Sequence, residues 1–230
     1  QVSDHPNRPD ADYGYGYICY REQRLSEALQ AFRLVDNHPA YRSAVPFYIA
    51  DILYRQGQKD QALAYAESNA SKTSGAFSLQ MDRFLGHAYF ERRDFAKALP
   101  RLESASAGPE RISREQLYEL SYCRYALSRY REASEGFSQL SSGSDSLSQS
   151  AMYLLGDAYL KLGRRPEARN AFSYCASNSS IPSQREVASF NYAKLSYELG
   201  YQDVALAEFR RFLSAYPASG YAREARDLLL

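Results

Sequence analysis

The sequence predicts an all-α chain of six consecutive helix–turn–helix units followed by one further helix. Three observations predict it. Alanine recurs as Ala28, Ala62, Ala98, Ala133, Ala168 and Ala205, at intervals of 34 to 37 residues. Twelve residues before each stands another small residue that follows a large apolar one: Tyr15-Gly16, Ile49-Ala50, Leu85-Gly86, Leu120-Ser121, Leu155-Gly156 and Tyr192-Ala193. Within each half of a unit the apolar residues fall at helical spacing, every third or fourth position. Self-similarity at a fixed period of this length marks a repeat array.

The elements follow in order. Residues 1–12, with Pro6 and Pro9, read as an unstructured lead-in. The units span about 13–42, 43–76, 77–112, 113–145, 146–182 and 183–217, and residues 218–230 form a capping helix or the first helix of a further unit. The small residues sit where two helices must approach closely, since a larger side chain would hold the backbones apart. Gly57, Gly163 and Gly200 fall where a first helix ends in a left-handed residue. Asp94 and Ser113 are placed as N-caps. Ser68–Ser78 and Ser141–Ser150 read as polar connections. Pro100, inside a second helix, predicts a kink or a late helix start. In the second unit Ala66 and Asn69 replace bulkier or apolar residues, which predicts loose packing onto the third.

Composition excludes several function classes. The 28 basic and 27 acidic residues are well mixed, so nothing draws the chain to nucleic acid or to an anionic membrane surface. No apolar run approaches the ~20 residues needed to span a bilayer. Cys19, Cys123 and Cys175 lie far apart among apolar residues, which predicts buried free thiols rather than a disulfide framework or a metal site. The three histidines, His5, His38 and His87, form no ligand pair and no nucleophile–base pair, so neither catalysis nor a cofactor is predicted.

These residues resemble the tetratricopeptide repeat (TPR). The small residues Gly16 to Ala193 match the small residue in the first helix of that unit, the six alanines match its second-helix alanine, and Pro217 matches its closing proline. The resemblance covers about residues 13–217. It implies a right-handed α-α superhelix, a TPR solenoid, whose first helices line a concave, peptide-binding groove. Carried over residue by residue, that face holds Tyr13, Tyr17 and Tyr20; Phe47, Asp51 and Tyr54; Arg83, His87 and Phe90; Tyr118, Tyr122 and Tyr125; Tyr153 and Asp157; and Phe190, Lys194 and Tyr197. Replacing Tyr118 and Tyr122 together is expected to weaken a partner and leave melting unchanged.

The expected function is a non-enzymatic scaffold that binds a protein or peptide segment on an aromatic face, since rigid tyrosines offer contact area at low entropic cost. Capture of a chaperone's carboxylate tail is disfavoured, because Arg21, Arg55 and Arg83 lack partnering asparagines and Asp51 and Asp157 would repel it. The stretch from Ala207 to Leu229 is similar to repeats of bacterial envelope TPR proteins, the Tol–Pal partner and the outer-membrane assembly lipoprotein, which favours the periplasm or envelope over the cytoplasm. The alternatives are an input or self-association module of a bacterial regulator, with a kinase or DNA-binding effector elsewhere, and a plain spacer. The chain reads as a segment of a longer protein. Its closing Leu228-Leu229-Leu230 is expected to be exposed, with a homodimer formed through that end.

Overall fold

The computed structural model describes residues 7–230. Among them are thirteen α-helices, one short 3-10 turn and no strand. The chain forms two compact units, one ending at Arg111 and the other running from Ile112 to Leu230. The first holds three hairpins: α1 (Arg8–Arg21) with α2 (Leu25–Arg33), α3 (Val45–Arg55) with α4 (Lys59–Asn69), and α5 (Ala76–Glu91) with α6 (Phe95–Ser106). The second holds α7 (Arg114–Ala126) with α8 (Tyr130–Leu140), α9 (Ser146–Lys161) with α10 (Arg165–Asn178), and α11 (Pro182–Glu198) with α12 (Gln202–Ala215), then α13 (Ala222–Leu228).

All six repeat alanines are fully buried, as are Ala50, Ser121 and Ala193. Their small size is required by what faces them. A Cβ added to Gly156 would lie 3.0 Å from the ring of Phe172, and one added to Gly86 would lie 2.6 Å from Leu102. The first-helix small residue therefore receives the large second-helix side chain of its own hairpin. Phe32, Phe137, Phe172 and Phe209 are fully buried at these seams and contribute large apolar area to the core.

Every first helix ends in the same way. Gln23, Gly57, Arg93, Ser128, Gly163 and Gly200 all have positive φ, between 60° and 90°. The next residue then donates its N–H five positions back, from Arg24 to Cys19 (2.8 Å), Gln58 to Leu53 (2.9 Å), Asp94 to Tyr89 (2.9 Å), Arg129 to Arg124 (2.7 Å), Arg164 to Tyr159 (2.9 Å) and Tyr201 to Ser196 (2.8 Å). That is a Schellman closure, which satisfies carbonyls left over at the helix end. Three of the six use glycine, and the other three carry the cost of a left-handed L-residue. Ser128→Gly is expected to raise stability by about 0.5–1 kcal/mol in urea melts, because the Ser128 hydroxyl, which glycine would lose, makes a long 3.4 Å contact to Tyr130. An unchanged or lowered midpoint would contradict this.

Several expectations are corrected. The first helix starts at Arg8, with Pro9 inside its first turn, so only residues 1–6 of the expected lead-in lie outside the described residues. Of Ser68–Ser78, only 70–75 connect helices. The helix runs to Asn69, a 3-10 turn covers Ala70–Lys72, and α5 begins at Ala76. Of Ser141–Ser150, only 141–145 connect helices. Asp145 accepts the Ser148 N–H at 3.0 Å as N-cap of α9 and is anchored by Arg114 at 2.8 Å. Helix α6 starts at Phe95, with no delay. Pro100 lies on its exposed side, where water can reach the Ala96 carbonyl that it leaves without a donor. The joint between the second and third hairpins is sparse, as Ala66 and Asn69 lead one to expect, and what contact there is comes largely from the first helices, Tyr48 against Phe77 (5.7 Å) and Tyr54 against Phe84 (5.5 Å). Leu228 and Leu229 pack against the cluster of Phe190, Phe209 and Phe212, and only Leu230 is fully exposed.

The expected caps are formed. Asp94 accepts the Lys97 N–H at 3.3 Å, and Ser113 and Gln116 make a reciprocal capping box. The three cysteines are buried and free, and burial pushes the thiols of Cys123 and Cys175 up to about 12.

Candidate peptide-binding face

The face residues descend from one helical stripe per hairpin. On each first helix they are separated by three or four positions, so they stack along one side. In the first unit this brings together Tyr13, Tyr17 and Tyr20 of α1, Phe47, Asp51 and Tyr54 of α3, and Arg83, His87 and Phe90 of α5. In the second it brings together Tyr118, Tyr122 and Tyr125 of α7, Tyr153 and Asp157 of α9, and Phe190, Lys194 and Tyr197 of α11.

The aromatic rings divide between the core and the surface. Tyr13 stacks on Tyr41 with centroids 4.5 Å apart and meets Phe32 edge-on at 5.9 Å. Phe90 leans on Phe95 of its own hairpin at 5.9 Å. Tyr118 rests edge-on on the buried Phe137 at 6.0 Å, and Tyr153 does the same on Phe172 at 6.1 Å. Removing Tyr118 with Tyr122 would therefore open the core as well as the face, which corrects the expectation that melting would be unchanged. Phe190 is 2% exposed and belongs to the core, covered by Tyr221 stacked on it at 4.6 Å. Tyr17 and Tyr197 are the open tyrosines of the set, at 38% and 37% exposure. One residue missed in the sequence is Tyr48. It is buried, and its ring touches those of Tyr13, Tyr17, Tyr20, Phe32, Phe47 and Phe77.

The carboxylates of this face are not bare. Tyr20 donates its hydroxyl to Asp51 at 2.5 Å, and Arg55 pairs with the same carboxylate at 2.9 Å. Tyr125 donates to Asp157 in the equivalent register of the second unit. Burial first, and the bond to Asp51 second, push Tyr20 up to about 12. Burial and then Asp157 likewise hold Tyr125 well above the usual phenol range. Lys194 is tied to Glu224 of α13 at 2.7 Å.

Next to His87 lies a charged knot in which Glu91 accepts from Lys59 at 2.8 Å and faces His87 at 2.7 Å. The Lys59 bond, then one from Tyr54, hold Glu91 down to about 2. A lowered carboxylate contributes stability that is full above its ordinary value of 4.5 and is lost as pH falls towards 2. The urea midpoint of the wild type is thus expected to fall more steeply than that of Glu91→Gln below pH ~4.5. Parallel profiles would show that the knot contributes nothing.

Two hollows matter for ligand size. On this face, between α3 and α5, a cavity of about 360 Å³ is lined by Phe47, Asp51, Tyr54, Gln80, Arg83, Phe84 and His87. Five of these seven are face residues read from the sequence. A larger hollow of about 740 Å³, with Ser173, Ser177 and Ser180 among its walls, opens among α10, α11 and α12. Its arginines are engaged, Arg185 with the Ala176 carbonyl at 3.1 Å and Arg211 with Glu208 at 3.0 Å. No cluster able to hold a metal ion occurs among the described residues, and none of their helices is long and apolar enough to cross a membrane.

Comparison with known proteins places this geometry. The chain is similar in fold to YrrB, a TPR protein described by an unusual peptide-binding site, with a TM-score of 0.66, 16% identity, and 87% of this chain and 100% of that one covered. It is similar to MamA AMB-1, at a TM-score of 0.58 and 18% identity over 75% of this chain and 99% of that one. It is also similar to a tetratricopeptide repeat protein from Parabacteroides merdae ATCC 43184, at 0.56 and 17% over 97% and 98%. No curated relative matches the sequence. The tetratricopeptide repeat family matches residues 2–42, 118–180 and 153–220, more than half of the chain. With six buried repeat alanines, six identical helix closures and no strand among the described residues, the chain belongs to the tetratricopeptide repeat family and has its all-α solenoid fold.

Proposed function

We propose that this chain is a non-enzymatic interaction scaffold that binds an extended protein segment along its first helices, with the cavity between α3 and α5 as the anchoring point. The observation that carries this reading is the cavity itself. Its volume of about 360 Å³ is at the lower end of ligand pockets, enough for one anchoring side chain, and its walls combine aromatic rings with a few polar groups. A fold relative described by its peptide-binding site lends support. The likeness of Ala207–Leu229 to envelope repeats favours a partner in the bacterial cell envelope.

The test is a display library of random peptides panned on the full chain. Saturable binders are expected whose affinity falls at least about tenfold on His87→Ala with the fold kept, since a hot-spot truncation costs about 2 kcal/mol or more. Binders indifferent to His87→Ala and Phe47→Ala alike, or no binders, would overturn the reading.

A further inference from the structure

The outer side of α1 differs from the same side of every later first helix. In repeat register Ile18 corresponds to Ile52, Ala88, Cys123, Ala158 and Leu195, which are at most 3% exposed, whereas Ile18 is 52% exposed. Tyr15 corresponds to Ile49, Leu85, Leu120 and Leu155, which are at most 5% exposed, whereas Tyr15 is 48% exposed. Ala11, the counterpart of the buried Val45, Met81, Ala151 and Ala188, is exposed as well. On α3, α9 and α11 this side is where the preceding second helix packs. Val35 joins Ile49 and Ile52 in one cluster, Leu140 joins Ala151 and Leu155, and Cys175 joins Ala188 and Leu195. Among the described residues nothing seals Tyr15 and Ile18 in this way.

The patch has a direction. Spaced three and four apart, Arg8, Ala11, Tyr15, Ile18 and Glu22 form one stripe. It is basic and slender at the Arg8 and Ala11 end, and acidic and bulky at the Tyr15, Ile18 and Glu22 end. The Tyr15 ring is already held, with the Arg24 guanidinium 5.7 Å from its centre and its hydroxyl donated to Glu27 at 2.8 Å, so covering it costs little freedom. Arg8 pairs with Asp12 at 3.1 Å and Glu22 with Arg24 at 2.8 Å, both surface pairs too weak to hold their members back. A parallel pair of such stripes would set Arg8 on Arg8 and bulk on bulk. An antiparallel pair sets Arg8 beside Glu22 twice and seats Ile18 towards Ala11 twice. Head-to-tail stacking finds no free second helix at the other end of the chain, because Ala225 and Leu228 of α13 pack with Phe209 and Phe212 of α12.

We propose that α1 is a dimer surface: two copies of this chain pair through their first helices, antiparallel about a two-fold axis. The stripe lies on the other side of the helix from Tyr13, Tyr17 and Tyr20, so pairing leaves the peptide-binding face open. The inference therefore stands apart from the binding role proposed above. One pair of 14-residue helices, each about 21 Å long, makes an interface at the small end of the specific range, so the dimer forms at micromolar concentration.

The measurement is sedimentation velocity on the full chain between ~1 and ~100 μM, with thermal melts at the dilute end as the folding control. A monomer–dimer equilibrium is expected. Ile18→Glu should weaken it at least about tenfold and leave the melt unchanged, because Ile18 is exposed in the single chain. Arg8→Glu and Glu22→Arg should each weaken it about three- to tenfold, since each creates two like-charge contacts across the two-fold axis. The two reversals together should restore it. A chain that stays monomeric throughout would overturn the proposal. So would a dimer indifferent to Ile18→Glu, which would lie on another surface. A dimer that Ile18→Glu breaks, and that the double reversal fails to rescue, would overturn the antiparallel pairing.

Discussion

Phe172→Ala is expected to lower unfolding stability by about 3–5 kcal/mol, read as a shift of the urea midpoint with an unchanged slope. Phe172 is fully buried and fills the seam between α9 and α10 against Gly156, while Tyr153 leans on its edge. Truncation removes most of a ring from that seam. The vacated volume cannot collapse, because the small residue opposite it, Gly156, has no side chain to move. The cost should thus sit at the upper end of the large-to-small range. A loss below about 1 kcal/mol would mean that the seam is not a close-packed contact.

Tyr48→Ala is expected to cost nearly as much, at least about 3 kcal/mol. Tyr48 stacks on Phe32 at 4.9 Å and meets Tyr20 edge-on at 5.0 Å, among six ring contacts within the first unit. Each well-formed ring pair adds about 0.5–1.5 kcal/mol to plain burial. Tyr17→Ala is the contrasting variant. Tyr17 is an open residue of the same face, so its removal should cost less than about 1 kcal/mol and leave the core intact. Comparable losses for the two would show that the aromatic face is one structural unit with no free side for a ligand.

The repeat was legible because its rule is steric and therefore periodic. The alanines and the small residues twelve positions ahead of them can be counted, and each is buried where counting puts it. The helix closures were half legible. Gly57, Gly163 and Gly200 announce a left-handed residue, whereas Gln23, Arg93 and Ser128 take that conformation because the closure demands it, against their own preference. Tyr48 was hidden by its neighbour. A template that assigns Phe47 to the face leaves the next residue unassigned, although Val45, Tyr48, Ile49 and Ile52 form a buried stripe at helical spacing. Phe190 was misplaced because Tyr221, the residue that caps α13 and covers the ring, lies beyond the last repeat. The polar connections were overestimated because serine-rich composition resembles a linker. Asp145, an N-cap tied to Arg114, was the signal that α9 begins there.

The candidate site was legible only as a stripe. Which stripe residues meet in a cavity depends on how α3 packs against α5, and the repeat does not specify that packing. Gln80 and Phe84 were not read as face residues, yet both line the cavity. Their partnership with Arg83 and His87 arises from one helix side, at spacings of three and four.

The central claim is that a small residue on a first helix makes room for a large one on its partner, as Gly156 does for Phe172. A double-mutant cycle on Gly156→Leu and Phe172→Ala tests it most directly, since any gain in helix propensity from replacing glycine cancels between the two backgrounds. In the wild-type background Gly156→Leu should be destabilising by about 1–3 kcal/mol, because its first carbon alone would lie 3.0 Å from a buried ring. In the Phe172→Ala background the same leucine should fill the vacated space and lose most or all of that cost. The cycle should therefore show coupling of at least ~1 kcal/mol. Additivity within about 0.5 kcal/mol would contradict the account.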